Sequence, residues 1–392
     1  MKKYIYLIAH CICLLFLISC TGTGNGGRDA INRVSTNAGS DSIFYAKGFQ
    51  IETQEEYTLL KIRNPWDTTK LLQTYVLVPQ SENLPKNLPE GLLLRTPLQE
   101  TVCFSSVVCG FLDELNVLNT LTGVAEPQYI DIPFVKDGIS TGKIQDIGQA
   151  SNPNIEKLML IEPEAIFFNP INNPHTGAFG KLNIPIIYCV EYMENHPLGQ
   201  TEWIRFIGRL FDQKEWADSL FFATARSYNA LKALTASVAH HPSVFTELKY
   251  GDFWYMPGGQ SYLAHILNDA GADYILKDDL NTGSIPLSFE TVLDKAGKAG
   301  YWLFKYYSPQ EMTYKQLAAD FTNYTLFDAY KNRNIYVCNT SKTPYYQELP
   351  LHPDWVLKDM IKIFHPEVLP EYRPRYYTKM QAVTPRKPSN IS

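Results

Sequence analysis

The residues of this chain with the clearest chemical potential are serines, tyrosines and a tryptophan that follow strand-like segments. Ligands of open α/β sheets bind at the carboxyl ends of the strands, so side chains at those ends are candidate contacts. An aromatic-lined cleft suits a large, flat or aromatic ligand whose pose a few donors fix. Strand alternation allows the alternative that some of these aromatics are core residues. The candidates are Ser105, Ser106, Trp254, Tyr255, Gln260, Tyr262, Tyr306 and Tyr345.

The sequence motifs of common catalytic sites are absent from the 392 residues. The segment GQSYL at 259–263 lacks the second Gly of a nucleophile elbow, and neither a P-loop nor an H-E-x-x-H motif occurs. GTGNGG at 22–27 matches a dinucleotide fingerprint, but no strand precedes it and no helix follows. The eight His show no metal-ligand spacing, so we expect neither a catalytic centre nor a bare metal site.

The N-terminus has the order of a lipoprotein signal. Lys2 and Lys3 precede an apolar run, and Leu17-Ile18-Ser19-Cys20 resembles a bacterial lipobox. Residues 1–19 are therefore the expected signal peptide and Cys20 the lipidated residue, which would hold the protein to a membrane of the cell envelope, on the periplasmic side. The alternative is a transmembrane anchor, although the run is short for a bilayer. Residues 20–42, rich in Gly, Ser, Thr and Asn, are expected to form a flexible tether.

Charge and cysteine content exclude several classes of partner. Net charge is −5 and becomes −7 once Lys2 and Lys3 leave with the signal, which disfavours nucleic acid. The cysteines left after processing show no C-x-x-C pairing, so a zinc site is not expected, whereas disulfides remain open. These are Cys103, Cys109, Cys189 and Cys338.

The elements that position the candidate residues alternate between strands and helices. Residues 43–90 predict a β-hairpin extension, and residues 91–211 and 239–370 each predict an α/β lobe with a parallel sheet. Between them lies the longest helical pattern, 212–238, with Asp212 as a possible cap and two apolar stripes. We expect it to be a single interlobe helix beside a ligand cleft, or else a long core helix. The tail 371–392, basic and proline-containing, is expected to lie on the surface.

Four segments in order resemble the periplasmic substrate-binding proteins for iron chelates and cobalamin. GKIQDIGQASNPNIEKLMLIEPEAIFF is similar to that family's first-lobe segment, and EWIRFIGRLF to its entry to the interlobe helix. MPGGQSYLAHILNDAGADYIL and HPDWVLKDMIKIFHPEVLP resemble its second-lobe and closing segments. The resemblance spans roughly residues 96–370 and implies two Rossmann-like lobes, no enzymatic activity, and delivery of a chelated metal to the permease of an ABC importer.

The resemblance also implies where the transporter docks. In that family one surface Glu on each lobe meets Arg residues of the transporter. Glu156 falls at the first-lobe position, whereas the second-lobe position falls on His265, a departure from the pattern. A His is no fixed anion at pH 7, so symmetric docking is in doubt.

The identity of the ligand stays open between several chelates. The leading hypothesis is a monomeric, lipid-anchored binding protein for a ferric siderophore or haem, without a cofactor of its own. Cobalamin is the alternative within the class, and an envelope enzyme acting on a metal chelate is the alternative outside it. An anionic catecholate would need cations in the cleft, for which Arg95 and Lys305 are candidates.

Overall fold

The computed structural model describes residues 41–170 and 176–381. The signal segment, Cys20, nearly all of the tether and residues 382–392 lie outside the described residues. Among the residues that are described, no helix combines the length and apolarity needed to cross a membrane.

A four-stranded sheet comes first in the described chain. Its strands are β1 (Phe49–Thr53), β2 (Thr58–Arg63), β3 (Leu71–Pro79) and β4 (Leu92–Thr96). The first three are antiparallel neighbours, as the hairpin pattern predicts, but β4 pairs in parallel with β3. The strand that the sequence assigns to the start of the first lobe therefore completes the N-terminal sheet.

The first lobe is built on a five-stranded parallel sheet in the order β11-β10-β5-β6-β7. Its elements are β5 (Thr101–Cys103), α1 (Ser106–Glu114), β6 (Leu121–Val124), α2 (Pro133–Ser140), β7 (Gln145–Asp146), β8 (Gly148–Gln149), β9 (Asn152–Pro153), α3 (Ile155–Ile161), β10 (Ala165–Phe168) and β11 (Ile186–Tyr188). The hydroxyl of Tyr75 in β3 donates to the Ile186 carbonyl (3.0 Å) and accepts from the Tyr188 amide (2.9 Å), which ties the N-terminal sheet to this lobe.

Two long helices follow, α4 (Pro197–Leu210) and α5 (Lys214–Thr235). The predicted cap Asp212 instead has a φ of 56° and lies in the turn after α4, where the Gln213 amide donates to the Gly208 carbonyl (2.8 Å). That left-handed residue ends α4 in the way that a C-terminal Gly or Asn does. Helix α5 begins after Gln213, without a side-chain cap.

Helix α5 buries one of its two apolar stripes more fully than the other. Ala217, Phe221 and Tyr228 are buried on one face, together with Asp218 and Thr235. The other predicted stripe is only partly buried: Leu220 and Leu231 pack against the core, whereas Trp216 is 43% and Leu234 46% exposed. Residue spacing alone does not show whether such a stripe packs against another part of the protein or faces solvent. That α5 alone links the two lobes stays a prediction.

Buried carboxylates of the α4 region bind the backbone of the segment that follows the tether. Glu202 accepts from the amides of Phe44, Tyr45 and Ala46 at 2.7–3.1 Å and pairs with Arg205 at 2.9 Å. Glu194 likewise accepts from the amides at positions 47 and 48. Such charge-assisted bonds inside a protein fix the backbone firmly, so residues 44–48 form an ordered link between tether and fold.

The second lobe has a parallel core sheet in the order β15-β12-β17-β18, with β19 antiparallel at the edge. A separate antiparallel sheet contains β13, β14 and β16. The elements are β12 (Ser243–Thr246), β13 (Lys249–Tyr250), β14 (Phe253–Pro257), α6 (Tyr262–Asp269), β15 (Asp273–Tyr274), β16 (Ser284–Leu287), α7 (Phe289–Ala296), β17 (Tyr301–Tyr306), α8 (Tyr314–Asp320), α9 (Asp328–Lys331), β18 (Ile335–Asn339), α10 (Tyr345–Glu348), α11 (Pro353–Phe364) and β19 (Thr378–Lys379). The α/β class with two Rossmann-like lobes is confirmed.

The C-terminal tail is partly an internal element rather than a surface wrap. Asp359 of α11 accepts from the amides of Arg375, Tyr376 and Tyr377 at 2.7–3.0 Å. Tyr376 and Tyr377 are consequently buried, and β19 then extends the second-lobe sheet. The four cysteines that follow the tether are free and buried, so the described chain contains no disulfide.

Candidate functional site

The candidate site is a cleft between the lobes at the carboxyl ends of their parallel strands. In each sheet the strand order reverses beside the first strand, between β5 and β10 and between β12 and β17. Crevices at such reversals are where open α/β sheets bind ligands. The cavity there measures about 810 Å³, within the range of small-molecule sites. It is lined by Ser106, Gln128, Tyr129, Ile130, Asp131, Lys136, Glu247, Lys305, Tyr306, Tyr307, Thr340, Ser341, Thr343, Pro344, Tyr345, Tyr346 and Gln347.

The floor of the cleft holds an ion pair at the reversal point of the second sheet. Glu247 directly follows β12, and Lys305 is the penultimate residue of β17. The Lys305 ammonium bonds to the Glu247 carboxylate, and lies 5.9 Å from the ring centre of Tyr345. Burial favours the neutral amine, but Glu247 together with Tyr345 and Tyr346 outweighs this effect and raises the pKa of Lys305. The lysine is therefore a cation held by its partner.

Tyrosines form most of the aromatic surface of the cleft. Tyr306 donates its hydroxyl to Glu311 Oε2 (2.8 Å) and accepts from the Met312 amide (3.1 Å). Burial raises the pKa of Tyr306 to about 12, so it remains a neutral phenol at physiological pH. Tyr307 and Tyr346 are more than half exposed, which leaves their rings accessible to a ligand.

The C-terminal tail supports this tyrosine surface from behind. The ring of Tyr345 lies 5.4 Å from that of Tyr376 and 6.0 Å from that of Tyr377. At the end of α10, Glu348 accepts from Arg375 (2.6 Å) and from the Tyr376 hydroxyl (2.7 Å). The tail thus fixes the cleft segment that contains α10, by aromatic packing and by charge-assisted hydrogen bonds.

The first lobe provides the opposite wall, with fewer residues. Ser105 caps α1 by accepting from the Val107 amide (3.2 Å), and Ser106, the first helical residue, faces the cavity. Lys136 pairs with Asp131 at the rim. The Asp131 amide also donates to Gln347 Oε1 across the cleft (3.2 Å). The lobes therefore already touch at one edge of the cleft.

The predicted ligand residues separate into two groups. Ser106, Tyr306 and Tyr345 line the cavity, and Ser105 caps the helix beside it. Tyr255, Gln260 and Tyr262 are not among its lining residues; the Tyr262 hydroxyl donates to the Leu349 carbonyl instead (3.0 Å). Arg95, a candidate cation, binds the carbonyls of Pro79, Gln80 and Glu82 in the N-terminal sheet.

The placement of Trp254 in the cleft is wrong. Trp254 is completely buried, and its indole N–H donates to the Thr246 carbonyl (3.0 Å). Its ring packs against Phe245, Trp302 and Phe327 in the core of the second lobe. Strand β14 belongs to the antiparallel sheet, so its end does not lie at the reversal of the parallel one.

The cleft residues that the sequence reasoning missed include Tyr129 and Glu247. Tyr129 ends a short 3₁₀ helix (Pro127–Tyr129) after β6, which is too short to leave a periodic pattern in the sequence. Glu247 directly follows β12 and could have been found as the polar residue after a buried strand. Among the described residues, no group of three His, Cys, Asp or Glu could hold a bare metal ion.

The two lobes present matching helices outside the cleft. In α3 the Asn154 side chain accepts from the Lys157 amide, and Glu156 is the second helical residue. In α7 Ser288 caps the third helical amide in the same way, and Glu290 is second. Both glutamates are exposed. Each helix precedes the strand that reverses its sheet order, so Glu156 and Glu290 occupy equivalent positions.

His265 does not occupy the exposed position that the sequence comparison gave it. It is half-buried in α6, with its ring 6.0 Å from that of His196. Desolvation lowers the pKa of His265, which disfavours the imidazolium form. The sequences N-I-E at 154–156 and S-F-E at 288–290 share a capping residue, an apolar residue and a Glu. This shared pattern could have identified Glu290 from the sequence.

Comparison with known proteins places this architecture in a family. The sequence profile of the periplasmic binding protein family matches residues 107–341. The chain belongs to this family. Proteins of this class bind a solute outside the cytoplasm and work with the permeases of ABC transporters. The matched region contains both matching helices and most of the cleft lining, whereas Ser106 and residues 343–347 lie outside it.

Individual relatives agree with this assignment. An uncharacterized lipoprotein of Methanocaldococcus jannaschii is 26% identical over 97% of either chain. A possible iron-binding (periplasmic solute-binding) protein of Staphylococcus epidermidis covers 69% of this chain and 100% of its own, at 16% identity and a TM-score of 0.54. A periplasmic heme binding protein of Pseudomonas aeruginosa covers 72% and 98%, at 13% identity and a TM-score of 0.56. At such identities the solved structures show the fold alone.

Proposed function

We propose that this protein captures a metal chelate in the interlobe cleft and delivers it to an ABC importer. The observation that carries the proposal is the tyrosine-lined cavity of about 810 Å³, which lies at the reversal of the second sheet and faces residues that follow β5 and β6 of the first. Its size and aromatic lining suit a bulky ligand with flat surfaces. Iron chelates, haem and cobalamin are the ligand classes, and the iron and haem proteins of similar fold support the first two.

Delivery uses one glutamate from each lobe. Glu156 and Glu290 are exposed, lie at the same position of equivalent helices, and each follows a capped helix start. Carboxylates on rigid helices are suited to pair with Arg residues of a permease, in bonds that strengthen when the interface excludes water. This pair replaces the combination of Glu156 with His265 that the sequence comparison suggested.

The membrane anchor is the lipidated Cys20. The order of charged residues, apolar run, small residue and Cys in the first residues supports it. Cys20→Ala is expected to abolish partitioning of the protein into the detergent phase. Partitioning equal to that of the wild type would contradict the assignment.

The transport proposal is tested by ATP hydrolysis in the reconstituted importer. The mature protein with its chelate is expected to stimulate hydrolysis above the level seen with permease alone. Stimulation should require both chelate and binding protein, since the class delivers a loaded protein to the permease. Absence of stimulation by any iron chelate, haem or cobalamin would overturn the function.

A further inference from the structure

The charges that line the cleft cancel, and this balance restricts the ligand. Lys305 and Glu247 have side chains only 14% and 22% exposed. A charge so far removed from water interacts strongly with whatever lies beside it, because little solvent screens it. Here each charge is neutralised by the other, so the floor offers neither a free cation nor a free anion.

The opposite wall repeats this arrangement. Lys136 pairs with Asp131, with side chains 58% and 62% exposed. Being at the rim, this pair is screened by water and salt and contributes less to the field inside the cleft. Among the described lining residues these two pairs are the only charged groups, so the formal charge of the cleft is zero.

The other polar groups of the cleft carry partial charges and are suited to bind uncharged polar groups of a ligand. The phenol groups of Tyr307 and Tyr346 can donate to carbonyl, amide or hydroxamate oxygens, whereas the Ser341 hydroxyl already donates to the Ser308 carbonyl (2.6 Å). The amino end of α1 adds a fractional positive charge, part of which the Ser105 cap already satisfies. A ligand with two or three full negative charges would leave them desolvated without partners, which is costly.

We infer that the cleft takes a metal chelate of zero or nearly zero net charge. Ferric trihydroxamates and corrinoids have this property, whereas ferric triscatecholates and haem, with its ionised propionates, do not. The inference rests on the proposed function and narrows its ligand class. It does not depend on whether the metal is iron or cobalt.

Calorimetric titration of the mature protein with four probes tests the inference. The neutral probes are a ferric trihydroxamate and cyanocobalamin, and the anionic probes are a ferric triscatecholate and haemin. At least one neutral probe is expected to bind about tenfold or more tightly than either anionic probe, a difference of about 1.4 kcal/mol. Its affinity should change less than about twofold between low and high salt, because no net charge is being screened.

A variant of Glu247 tests whether the Lys305–Glu247 pair causes the preference for neutral over anionic chelates. Glu247→Gln keeps the side-chain shape but leaves Lys305 without its carboxylate, so the ratio of neutral to anionic affinity should fall by about tenfold. The matched control is Asp328→Asn, which removes the partner of Lys331 in α9, outside the cleft. It changes the net charge equally and should leave the ratio unchanged.

The outcomes separate the inference from the function. Tighter binding of haemin or the triscatecholate than of both neutral probes would overturn the inference and leave chelate binding intact. An equal ratio in Glu247→Gln and wild type would also overturn it, since the pair would not set the preference. Binding of none of the four probes would overturn the proposed function, and the inference with it.

Discussion

The first and second lobes are built on parallel sheets of the same kind, yet they contribute unequally to the molecule. Outside the cleft they match, with Glu156 and Glu290 at the same position of equivalent helices. Inside it the second lobe supplies the ion pair and most of the tyrosines, and the C-terminal tail supports them. The outer surfaces of the two lobes are therefore alike at these helices, whereas most of the cleft lining comes from the second lobe.

The largest loss of stability is expected from a substitution in the core of the second lobe, which supplies most of the cleft lining. Trp254→Ala should lower the free energy of unfolding by about 3–5 kcal/mol, because it opens a cavity in packed aromatics and leaves the Thr246 carbonyl without its donor. Urea denaturation measures the change. Trp216→Ala, at a site 43% exposed, is the control and should cost about 1 kcal/mol or less. Equal losses would mean that Trp254 is not the core residue described here.

The free energy of unfolding should depend on pH through a buried carboxyl group of the first lobe. Glu191 is 3% exposed, and burial raises its pKa from the usual 4.5 to about 7. Between these values the folded chain holds a proton that the unfolded chain releases, so the free energy of unfolding falls as pH rises and levels off above about 7. The loss is at most about 3 kcal/mol.

Glu191→Gln tests this titration directly. The amide cannot ionise, so the decline between about pH 4.5 and 7 should become clearly smaller in chemical unfolding measured across that window. Glu156→Gln, at an exposed position, is the control and should keep the wild-type profile. A decline that persists unchanged in Glu191→Gln would assign the pH dependence to another group.

The symmetry of the outer helices is tested by charge reversal. Glu156→Lys and Glu290→Lys should each reduce stimulation of the importer's ATP hydrolysis by about tenfold, because a lysine would face the permease cations. Stability should change by about 0.5 kcal/mol or less, since both sites are exposed. Glu215→Lys in α5, whose side chain is 87% exposed, is the control for surface charge. Full stimulation by Glu290→Lys would contradict the matching roles of the two lobes.

The asymmetry of the cleft is tested by truncating one tyrosine on each wall. Tyr346→Ala in the second lobe should weaken binding of the chelate by up to about tenfold, through loss of aromatic contact. Tyr129→Ala in the first lobe should cost less, about threefold, because it is the only aromatic among the described lining residues of that wall, whereas Tyr346 packs against Tyr345 (5.3 Å between ring centres). Tyr250→Ala, in β13 and outside the cleft, should have no effect. A larger loss for Tyr129→Ala than for Tyr346→Ala would reverse the assignment of the lobes.

Much of this architecture follows from the sequence because it depends on local patterns. Alternating strands and helices predicted the two α/β lobes, and Ser106, residues 305–307 and residues 343–346 do line the cleft. Trp254 was misplaced because alternation says that a side chain is on one face of a strand, not which sheet the strand joins. Glu247 follows a buried strand and could have been found from the sequence, whereas Tyr129 enters the site only through tertiary contacts. The equivalence of Glu290 with Glu156 became evident from the topology of the lobes, although the same cap, apolar residue and Glu pattern marks both in the sequence.

The central claim is that the cleft binds a metal chelate, and native mass spectrometry of protein released from its own cells tests it most directly. The expected result is a complex heavier than the lipidated polypeptide by one chelate. Its isotope pattern should contain a metal, and elemental analysis should find that metal in a one-to-one ratio. A metal-free organic ligand at full occupancy would contradict the claim.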